Sequence, residues 1–381
     1  MRIGIITSEL FDPRFSGIGG FGWATRRASF CLSRWEEFPV EPVIIMVRPR
    51  DTALTDIPAS LDGIPLLWRS GGLVEWRRRL RTQRFDLLLA IDNQAMFRLV
   101  WWLLPRTPLL VWARDPKTAE DRWRLQTLCI PGDPAPPQGL FFRDMRSFRY
   151  DVLLSRLLQR PVEVAAPTPH VVPRIPGAYG LAAHSVRLLP NPLEFAPAKL
   201  VKSERPLVLI AGRLDPVKRP WIAWEVARSM PDVDFLFLGK NHFSGAGTWH
   251  PPTELANVRM VDHLEGPEKW QCFEHAWFLL NTSIHEGLPV TFQEALAWEA
   301  VIISSLNPEG VPERFGACVG DELGDGLELV PRLVKAICEL SNSPEERIRL
   351  AKAGRAWVES IHGTERFRQA FREAVQALGF R

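Results

Sequence analysis

The chain has 381 residues, of which 46% are hydrophobic and 24% are charged. This length favours two or three domains, and the composition excludes a disordered or collagen-like chain. The net charge of +3 gives no indication that the partner is a nucleic acid. The charge is nevertheless uneven, because residues 1–190 carry 26 basic and 18 acidic side chains whereas residues 191–381 carry 21 and 26.

The cysteines and the apolar segments indicate the compartment. Five widely spaced cysteines without a Cys-x-x-Cys pair favour a reducing compartment over a disulfide framework or a structural zinc. The apolar run at residues 3–7 is too short for a signal peptide. The most apolar stretch, residues 99–112, is interrupted by Pro105, Arg106 and Pro108, so it cannot span a membrane. We therefore expect a cytoplasmic protein.

In the first half, short apolar runs alternate with amphipathic stretches, the pattern of βα units around a parallel sheet. Strands are predicted over residues 3–7, 43–47, 86–91 and 109–113, and helices over 22–35, 73–84 and 151–159. A proline-rich loop is predicted over residues 131–137.

The helix at 73–84 is strongly basic and carries Leu73, Trp76 and Leu80 along one side. Such a helix can lie on an anionic membrane surface. The alternative is an arginine-rich solvated face above an ordinary core stripe. Peripheral contact with the inner face of a membrane is therefore one of two open interpretations.

A glycine-rich segment follows the first strand and contains a Gly-x-Gly-x-x-Gly pattern that begins at Gly17. As a dinucleotide fingerprint it is weak, because residues 8–16 separate it from the strand. Its backbone could still approach a phosphate or sugar closely, since glycine has no side chain. The alternative is a flexible loop that only begins a helix.

The βα pattern restarts after a polar linker at residues 199–205. Strands are predicted over 207–211, 235–238, 278–281 and 301–304, and residues 344–378 are predicted to be helical with a break near 362–363. This predicts two doubly wound, Rossmann-like α/β domains, residues 1–195 and 196–381, facing a central cleft, with the last helix returning to the first domain. Ligands in such folds bind outside the carboxyl ends of the strands.

The most informative segment joins the strand at 278–281 to a helix. Pro289 suits the first helical position, and the free amides of Gly287, Leu288 and Val290 at the positive helix end form a site for phosphate or sugar oxygens. Glu286 lies just before this helix and Glu294 lies in its second turn, so they could bind different hydroxyls of one ligand. The alternative is that Glu286 only complements the helix dipole and Glu294 is solvated.

A second segment places Gly212, Arg213 and Lys218 directly after the strand at 207–211. Cations at the carboxyl end of a strand suit a diphosphate, for which Arg offers a fork and Lys a point charge. The alternative is ordinary surface charge. The single Asp-x-Asp pattern, Asp232 and Asp234, precedes its strand and lies at the wrong end for ligand binding.

Together these three segments resemble the retaining GT-B glycosyltransferases of glycosyltransferase family 4 (glycosyltransferase group 1). The Gly-Gly loop of the family matches Gly19 and Gly20, and its Gly-Arg-x-x-x-x-Lys segment matches Gly212, Arg213 and Lys218.

The family's Glu-x7-Glu motif matches Glu286 and Glu294, and its Pro-Asn-Gly resembles Pro190, Asn191 and Pro192 with Pro in place of Gly. The resemblance is strong over residues 187–315 and is mainly one of layout over residues 1–186.

The resemblance implies transfer of a hexose from a nucleotide-diphosphate sugar with retention of configuration, UDP-glucose being favoured over GDP-mannose. Arg213 and Lys218 would hold the diphosphate and stabilise the charge of the leaving group. Glu294 would bind the ribose, Glu286 the sugar hydroxyls, and the amides of residues 287–290 the sugar and phosphate. The donor phosphate usually acts as the base in this fold, so neither a metal nor a cofactor is expected.

The chain departs from the family in one place. Many members have a histidine in the first domain near the donor sugar and acceptor, but residues 1–169 contain none. Arg114 and Asp115 stand at the corresponding strand end. Either could make the sugar or acceptor contact, and Asp115 could orient the acceptor hydroxyl. The alternative is an Arg–Asp pair that caps a loop.

The first domain usually binds the acceptor in this fold, and here it carries the positive excess. We therefore expect an acidic or lipid-linked glycan as acceptor and no nucleic acid. Two other functions stay open: a non-catalytic GT-B-like subunit that binds a sugar or nucleotide, and an NAD-dependent oxidoreductase that uses the glycine-rich segment.

Overall fold

The fold was analysed in a computed structural model, which describes residues 1–10, 19–47, 58–69, 71–133, 145–181, 186–197, 199–243 and 248–380. Fourteen strands are assigned within these residues. In chain order they are β1 (Arg2–Thr7), β2 (Glu41–Met46), β3 (Ser60–Leu61), β4 (Ile64–Trp68), β5 (Leu87–Ile91), β6 (Leu109–Trp112), β7 (Val162–Ala166), β8 (Arg187–Leu188), β9 (Leu207–Ala211), β10 (Asp234–Leu238), β11 (Val258–Val261), β12 (Phe278–Asn281), β13 (Val301–Ser304) and β14 (Gly316–Cys318).

The α-helices of the described residues connect these strands. They are α1 (Gly20–Ser33), α2 (Leu73–Thr82), α3 (Arg98–Leu103), α4 (Ala119–Gln126), α5 (Phe148–Leu157), α6 (Arg174–Tyr179), α7 (Pro220–Arg228), α8 (Gly266–His275), α9 (Val290–Ala297), α10 (Val311–Arg314), α11 (Val330–Ser341), α12 (Pro344–Ile361) and α13 (Thr364–Ala377). No helix in the described part of the chain has the length and apolar composition needed to cross a membrane.

Two sheets organise the chain. The first has the strand order β3-β4-β2-β1-β5-β6-β7-β8, in which only the β3–β4 pair is antiparallel. The second has the order β11-β10-β9-β12-β13-β14, and all its pairs are parallel. Strands such as β5, in which all five residues are buried, are continuous apolar runs because helices cover both faces of such a sheet. The predicted α/β class is therefore confirmed.

The chain forms two compact units. One contains the described residues of 1–118, 143–193 and 362–381, and the other those of 119–142 and 194–361. Helix α13 is part of the first unit, where Phe367 packs against Trp112 with ring centroids 5.6 Å apart. The division differs from the predicted boundaries in the segment that begins with α4, because Leu125, Leu128 and Ile130 are buried in the core of the second unit.

Most of the predicted strands and helices agree with the structure within three residues, and those at 207–211, 278–281 and 301–304 have the predicted bounds. The sequence analysis missed β3, β4, β7, β8, β11 and β14, as well as α3, α4, α6, α10 and α11. These elements are short or carry charged residues, so their hydrophobic signal is weak. Part of the predicted proline-rich loop, from residue 134 onward, lies outside the described residues.

The basic helix α2 packs on its sheet through the side that the sequence singled out. Trp76 and Leu80 are buried in the core of the first unit, whereas Leu73 is half exposed. The interpretation in which this apolar side faces a membrane is therefore wrong for Trp76 and Leu80, since both are needed to cover the sheet. The arginines of α2 lie on the solvated side of the helix, apart from the partly buried Arg79.

Candidate active site

The carboxyl edge of the second sheet contains a close approach between two glycines. Gly212 follows β9 with φ +133°, and Gly239 follows the neighbouring β10 with φ +152°. A Cβ atom on Gly239 would lie 1.8 Å from the carbonyl oxygen of Gly212, so only glycine fits there. Gly212 was predicted as a site residue, and Gly239 was missed because Gly239 alone forms no recognisable motif.

Lys218 and Glu286 form an ion pair at this edge. Lys218 lies in a short 3-10 helix after β9, and Glu286 follows β12, the strand next to β9 in the sheet. The Lys218 ammonium contacts the Glu286 carboxylate, which also accepts hydrogen bonds from Ser283 Oγ at 2.7 Å and Asn281 Nδ2 at 3.3 Å. Two residues predicted from separate motifs therefore meet, although 68 residues separate them.

Burial and charge act in opposite directions on Glu286. Burial alone raises the pKa of its carboxyl group, but the charge of Lys218 and the hydrogen bonds from Lys218 and Ser283 outweigh it and hold the pKa below its ordinary value. Glu286 is therefore an ionised acceptor that can receive hydrogen bonds from hydroxyl groups. This excludes the interpretation of Glu286 as a partner of the helix dipole alone.

Hydrogen bonds fix the two loops that carry this pair. Thr282 Oγ1 donates to the carbonyl oxygen of Lys218 at 2.7 Å, and the Ile284 amide donates to that of Val217 at 3.0 Å. Arg219, which is fully buried, donates to the carbonyl oxygens of Thr282 at 2.8 Å and Glu322 at 2.7 Å. Burial lowers the pKa of Arg219 to about 10, so it remains charged at neutral pH. Sequence analysis did not distinguish Arg219 from its neighbour Lys218.

Glu294 belongs to a second buried ion pair. Its carboxylate accepts from Lys269 Nζ of α8 at 2.6 Å, and its side chain is only 3% exposed. The interpretation of Glu294 as a solvated helix residue is therefore wrong. Lys269 was missed, because a lone Lys in an amphipathic helix gives no indication of its partner.

The turn into α9 is built as the sequence suggested, with a shift of one residue. The helix begins at Val290, and Pro289 occupies the preceding cap position rather than the first helical position. Pro289 is buried, while Gly287 and Leu288, which directly follow Glu286 in the sequence, are partly exposed. The unpaired N–H groups of a first helical turn can bind anions.

Arg213 lies near this edge without joining the Lys218–Glu286 pair. Its guanidinium is 3.3 Å from Asp215 Oδ2, and 41% of its side chain is exposed. Asp215 also accepts the amide hydrogen of Lys218 at 3.1 Å, which orders the loop between these two cations.

Helix α4 contributes a contact that the sequence did not predict. His285 Nδ1 lies 3.2 Å from Asp121 Oδ1, with both side chains largely buried, and Arg124 pairs with Asp321. His285 directly precedes Glu286. Asp121 therefore anchors the start of the Glu-x7-Glu segment.

In the first unit, a carboxylate occupies the N-terminus of α1. The Gly22 amide donates to Glu9 Oε2 at 3.4 Å, and a Cβ atom on Gly19 would lie 2.5 Å from the same oxygen. Gly20 has open space around its Cα, whereas Gly17 lies outside the described residues. The dinucleotide alternative would place a pyrophosphate at this helix end, which Glu9 fills here.

Arg114 is buried, and its guanidinium is engaged by neighbours within the first unit. Its guanidinium donates to Asn191 Oδ1 and lies over the Trp112 ring, 4.4 Å from the centroid. The Asn191 amide donates to Nδ1 of the buried His362 at 3.1 Å. Burial, together with the charge of Arg114, lowers the pKa of His362 to about 3. The alternative of an Arg114–Asp115 pair is wrong, because Asp115 contacts Lys117 instead.

Asp92, the residue after the neighbouring strand β5, completes this buried network, because it accepts hydrogen bonds from the Arg114 amide at 3.4 Å and from the Tyr179 hydroxyl. Burial raises the pKa of Asp92, and the hydrogen bond from Tyr179 only partly opposes this. Asp115 stays partly exposed at the carboxyl end of β6. His170, four residues after β7, lies at the same edge 3.5 Å from Arg174. The sequence analysis sought the family's first-domain histidine only in residues 1–169, so it did not consider His170 for that role.

The Asp-x-Asp pattern lies at the amino end of its strand, as expected. Asp234 is the first residue of β10, and its carboxylate is 3.5 Å from Arg205. Within the residues that the structure describes, no group of three His, Cys, Asp or Glu side chains is arranged to hold a metal ion.

Comparison with known proteins identifies the second unit. Residues 194–357 match the family described as "Glycosyl transferases group 1", and no match was found among curated proteins. The structure is similar to sucrose-phosphate synthase from Thermosynechococcus elongatus, with a TM-score of 0.69 and 15% identity over 99% of each chain.

Two further similar structures contain nucleotide ligands. HepE from Anabaena in complex with UDP-glucose has a TM-score of 0.68 and 14% identity, over 99% of this chain and 100% of that one. The pneumococcal O-GlcNAc transferase GtfA, in complex with UDP and GlcNAc, has a TM-score of 0.67 and 9% identity over 99% of each chain. The fold is therefore GT-B, and the chain is a glycosyltransferase whose residues 194–357 form a glycosyl transferases group 1 domain.

Proposed function

We propose that this chain is a retaining enzyme of glycosyltransferase family 4 that moves a hexose from a nucleotide-diphosphate sugar to an acceptor hydroxyl. The observation that carries the proposal is the Lys218–Glu286 pair at the carboxyl edge of the second sheet, beside Gly212. Lys218 is a cation that can bind the diphosphate, and Glu286 is an ionised acceptor that can bind the sugar hydroxyls. The pair therefore matches the two halves of such a donor.

UDP-glucose is the favoured donor, with GDP-mannose as the next candidate. Support comes from HepE, which is described in complex with UDP-glucose, and from GtfA, described with UDP and GlcNAc. Both are under 15% identical to this chain, so their similarity is one of fold. It supports a nucleotide-diphosphate sugar as the class of donor.

Lys218 and Arg213 are proposed to bind the diphosphate, with Gly212 allowing close approach. Since Lys218 contacts Glu286 in the structure, donor binding would give its ammonium a second acceptor, a phosphate oxygen. Glu286 would then accept hydrogen bonds from the sugar hydroxyls. Arg213 would turn from Asp215 toward the phosphate, which its exposure permits. The cations stabilise the charge that develops as the glycosidic bond breaks.

Glu294 and the turn before α9 are proposed to bind the rest of the donor. The Glu294 carboxylate, oriented by Lys269, would accept from the ribose hydroxyls. The amides of Gly287, Leu288 and Val290 would donate to phosphate or sugar oxygens, and buried Pro289 would fix the turn.

In the proposed reaction, the acceptor oxygen bonds to the anomeric carbon on the face from which the nucleoside diphosphate departs. The acceptor proton passes to the departing phosphate oxygen. We propose that neither a metal nor another cofactor takes part, and turnover that is unchanged by EDTA would support this.

The first unit is proposed to bind an acidic or lipid-linked glycan, in keeping with its positive excess. Asp115 is the candidate to orient the acceptor hydroxyl, while Gly19 and Gly20 are candidates for backbone contacts to the donor. Arg114 is so fully engaged with Asn191 and Trp112 that we propose a positioning role for it. We also propose that the protein is cytoplasmic and associates peripherally with the inner face of a membrane.

Thermal unfolding in the presence of nucleotides tests the donor site, since a ligand that binds only the folded state raises the melting temperature. We expect UDP and UDP-glucose to raise it more than GDP and GDP-mannose do. Lys218→Ala should reduce this rise, whereas Lys335→Ala, which removes an exposed Lys of α11, should not. If no nucleotide raised the melting temperature, the donor assignment would be wrong.

A further inference from the structure

Helix α5 of the first unit has an apolar side that faces solvent. Phe148 and Val152 bury one side of the helix in the core. On the other side, Tyr150, Leu153 and Leu157 are 58%, 56% and 75% exposed. Their spacing of three and four residues places them in one stripe along the helix. A stripe of this kind is not needed to cover the sheet.

Basic residues accompany the stripe. Arg146, Arg149 and Arg156 are exposed, and Arg149 lies over the Tyr150 ring at 4.7 Å while donating to its hydroxyl at 2.7 Å. The acidic residue of α5, Asp151, is buried and paired with Arg98 at 2.8 Å. We call this surface the arginine-rimmed face and define it by Tyr150, Leu153 and Leu157 with the three arginines.

Helix α3 packs against α5 and exposes a further aromatic side chain. Trp102 is 40% exposed, and the adjacent Trp101 packs edge-on against Phe148 of α5 with centroids 5.8 Å apart. Tryptophan and tyrosine are the residues that favour the boundary between lipid and water, where the ring is buried and its polar end stays hydrated.

Helix α2 covers the same side of the first sheet, because Trp76 and Leu80 share one core cluster with the buried residues of α3 and α5. Its solvated side carries Arg77, Arg78 and Arg81, together with Val74, which is 85% exposed. The positive charge therefore continues beyond α5 on this side of the sheet.

We propose that the arginine-rimmed face docks on the surface of an anionic lipid bilayer. A helix whose apolar stripe is bordered by arginines can insert its leucines among the acyl chains while the guanidinium groups stay at the lipid headgroups. A symmetric contact between two copies of the chain would instead place the arginines of one copy against those of the other, where like charges repel. The inference deepens the membrane part of the proposed function but depends on no donor or catalytic residue.

The test is flotation of the full chain with vesicles of phosphatidylglycerol and phosphatidylcholine, compared with phosphatidylcholine alone. We expect flotation with the anionic vesicles and its loss in 0.5 M NaCl, because salt at this concentration shortens the Debye length to roughly 4 Å and screens the attraction. Arg149→Glu with Arg156→Glu should lower partition by at least about 25-fold, each arginine being worth about fivefold. Leu153→Ser with Leu157→Ser should lower it at least about tenfold.

The matched control exchanges an exposed apolar and an exposed basic residue of the second unit, Ile348→Ser with Lys335→Glu, and should float as the parent chain does. The UDP-induced rise in melting temperature, measured on every variant, separates loss of docking from loss of fold or donor binding. The proposal is overturned if the parent chain does not float with anionic vesicles, or if the α5 variants float equally well. It is also overturned if the leucine variant converts a dimer into a monomer in light scattering.

Discussion

The two sheets of this protein carry charged residues at their carboxyl edges and use them differently. At the edge of the second sheet, Lys218 and Glu286 lie on adjacent loops and pair while remaining partly accessible. At the edge of the first sheet, Arg114 and Asp92 are buried and bond to neighbours within their own unit. Similar sequence signals, a charged residue after an apolar strand, thus have two structural meanings.

The difference comes from what surrounds each strand end. In the second unit, Gly212 leaves room beside the charges, because a Cβ atom there would meet only Lys218 Cε, at 3.9 Å. In the first unit, Trp112 lies under Arg114, and buried His362 lies close enough for the charge of Arg114 to lower its pKa. Arg114 is therefore held in the core of the first unit, whereas Lys218 stays partly accessible at the edge of its sheet.

The largest expected effect concerns the second sheet. Lys218→Ala should lower kcat by about 100- to 1000-fold, the usual cost of removing a group that stabilises charge in the transition state. Release of UDP from UDP-glucose measures it, and Lys335→Ala should keep the parent rate. Equal rates in both variants would assign Lys218 to the fold alone.

Arg114 tests the first sheet. Arg114→Ala should lower the free energy of unfolding by about 2–3 kcal/mol, since it leaves buried acceptors without a charged donor. Urea unfolding measures this loss, for which Asp115→Asn is the control with a change below about 0.5 kcal/mol. If Asp115→Asn slows turnover while Arg114→Ala only destabilises, the two neighbours have the separate roles proposed above. A stable Arg114→Ala variant would contradict the burial argument.

The buried network of the first sheet can also be tested by the pH dependence of stability, through His362. Its pKa is about 3 in the folded protein against 6.5 for an ordinary histidine, so only the unfolded chain binds the proton between these values. Stability from this group is complete above pH 6.5 and falls by about 1.4 kcal/mol per pH unit as the pH drops toward 3. His362→Gln keeps an acceptor for the Asn191 amide and should flatten the slope between pH 6 and pH 4. Parallel slopes in urea unfolding would show that His362 does not titrate as inferred.

The smallest expected effect concerns Asp121 of α4. Asp121→Ala removes the partner of His285 and should weaken UDP binding by about fivefold, close to 1 kcal/mol, because Glu286 follows in the same loop. Titration calorimetry measures the affinity, and Glu120→Ala on the exposed side of α4 is the control. Unchanged affinity for Asp121→Ala would confine this contact to stability.

The sequence determined the repeating βα order and the motifs of the second unit, because buried parallel strands are continuous apolar runs and their loops keep fixed spacing. The strand at 278–281 and the positions of Lys218 and Glu286 follow from these patterns. Only the tertiary structure decided which charges meet. Lys269 opposite Glu294, and His362 beside Arg114, join residues distant in sequence, so burial and partners arise from packing that local patterns do not encode.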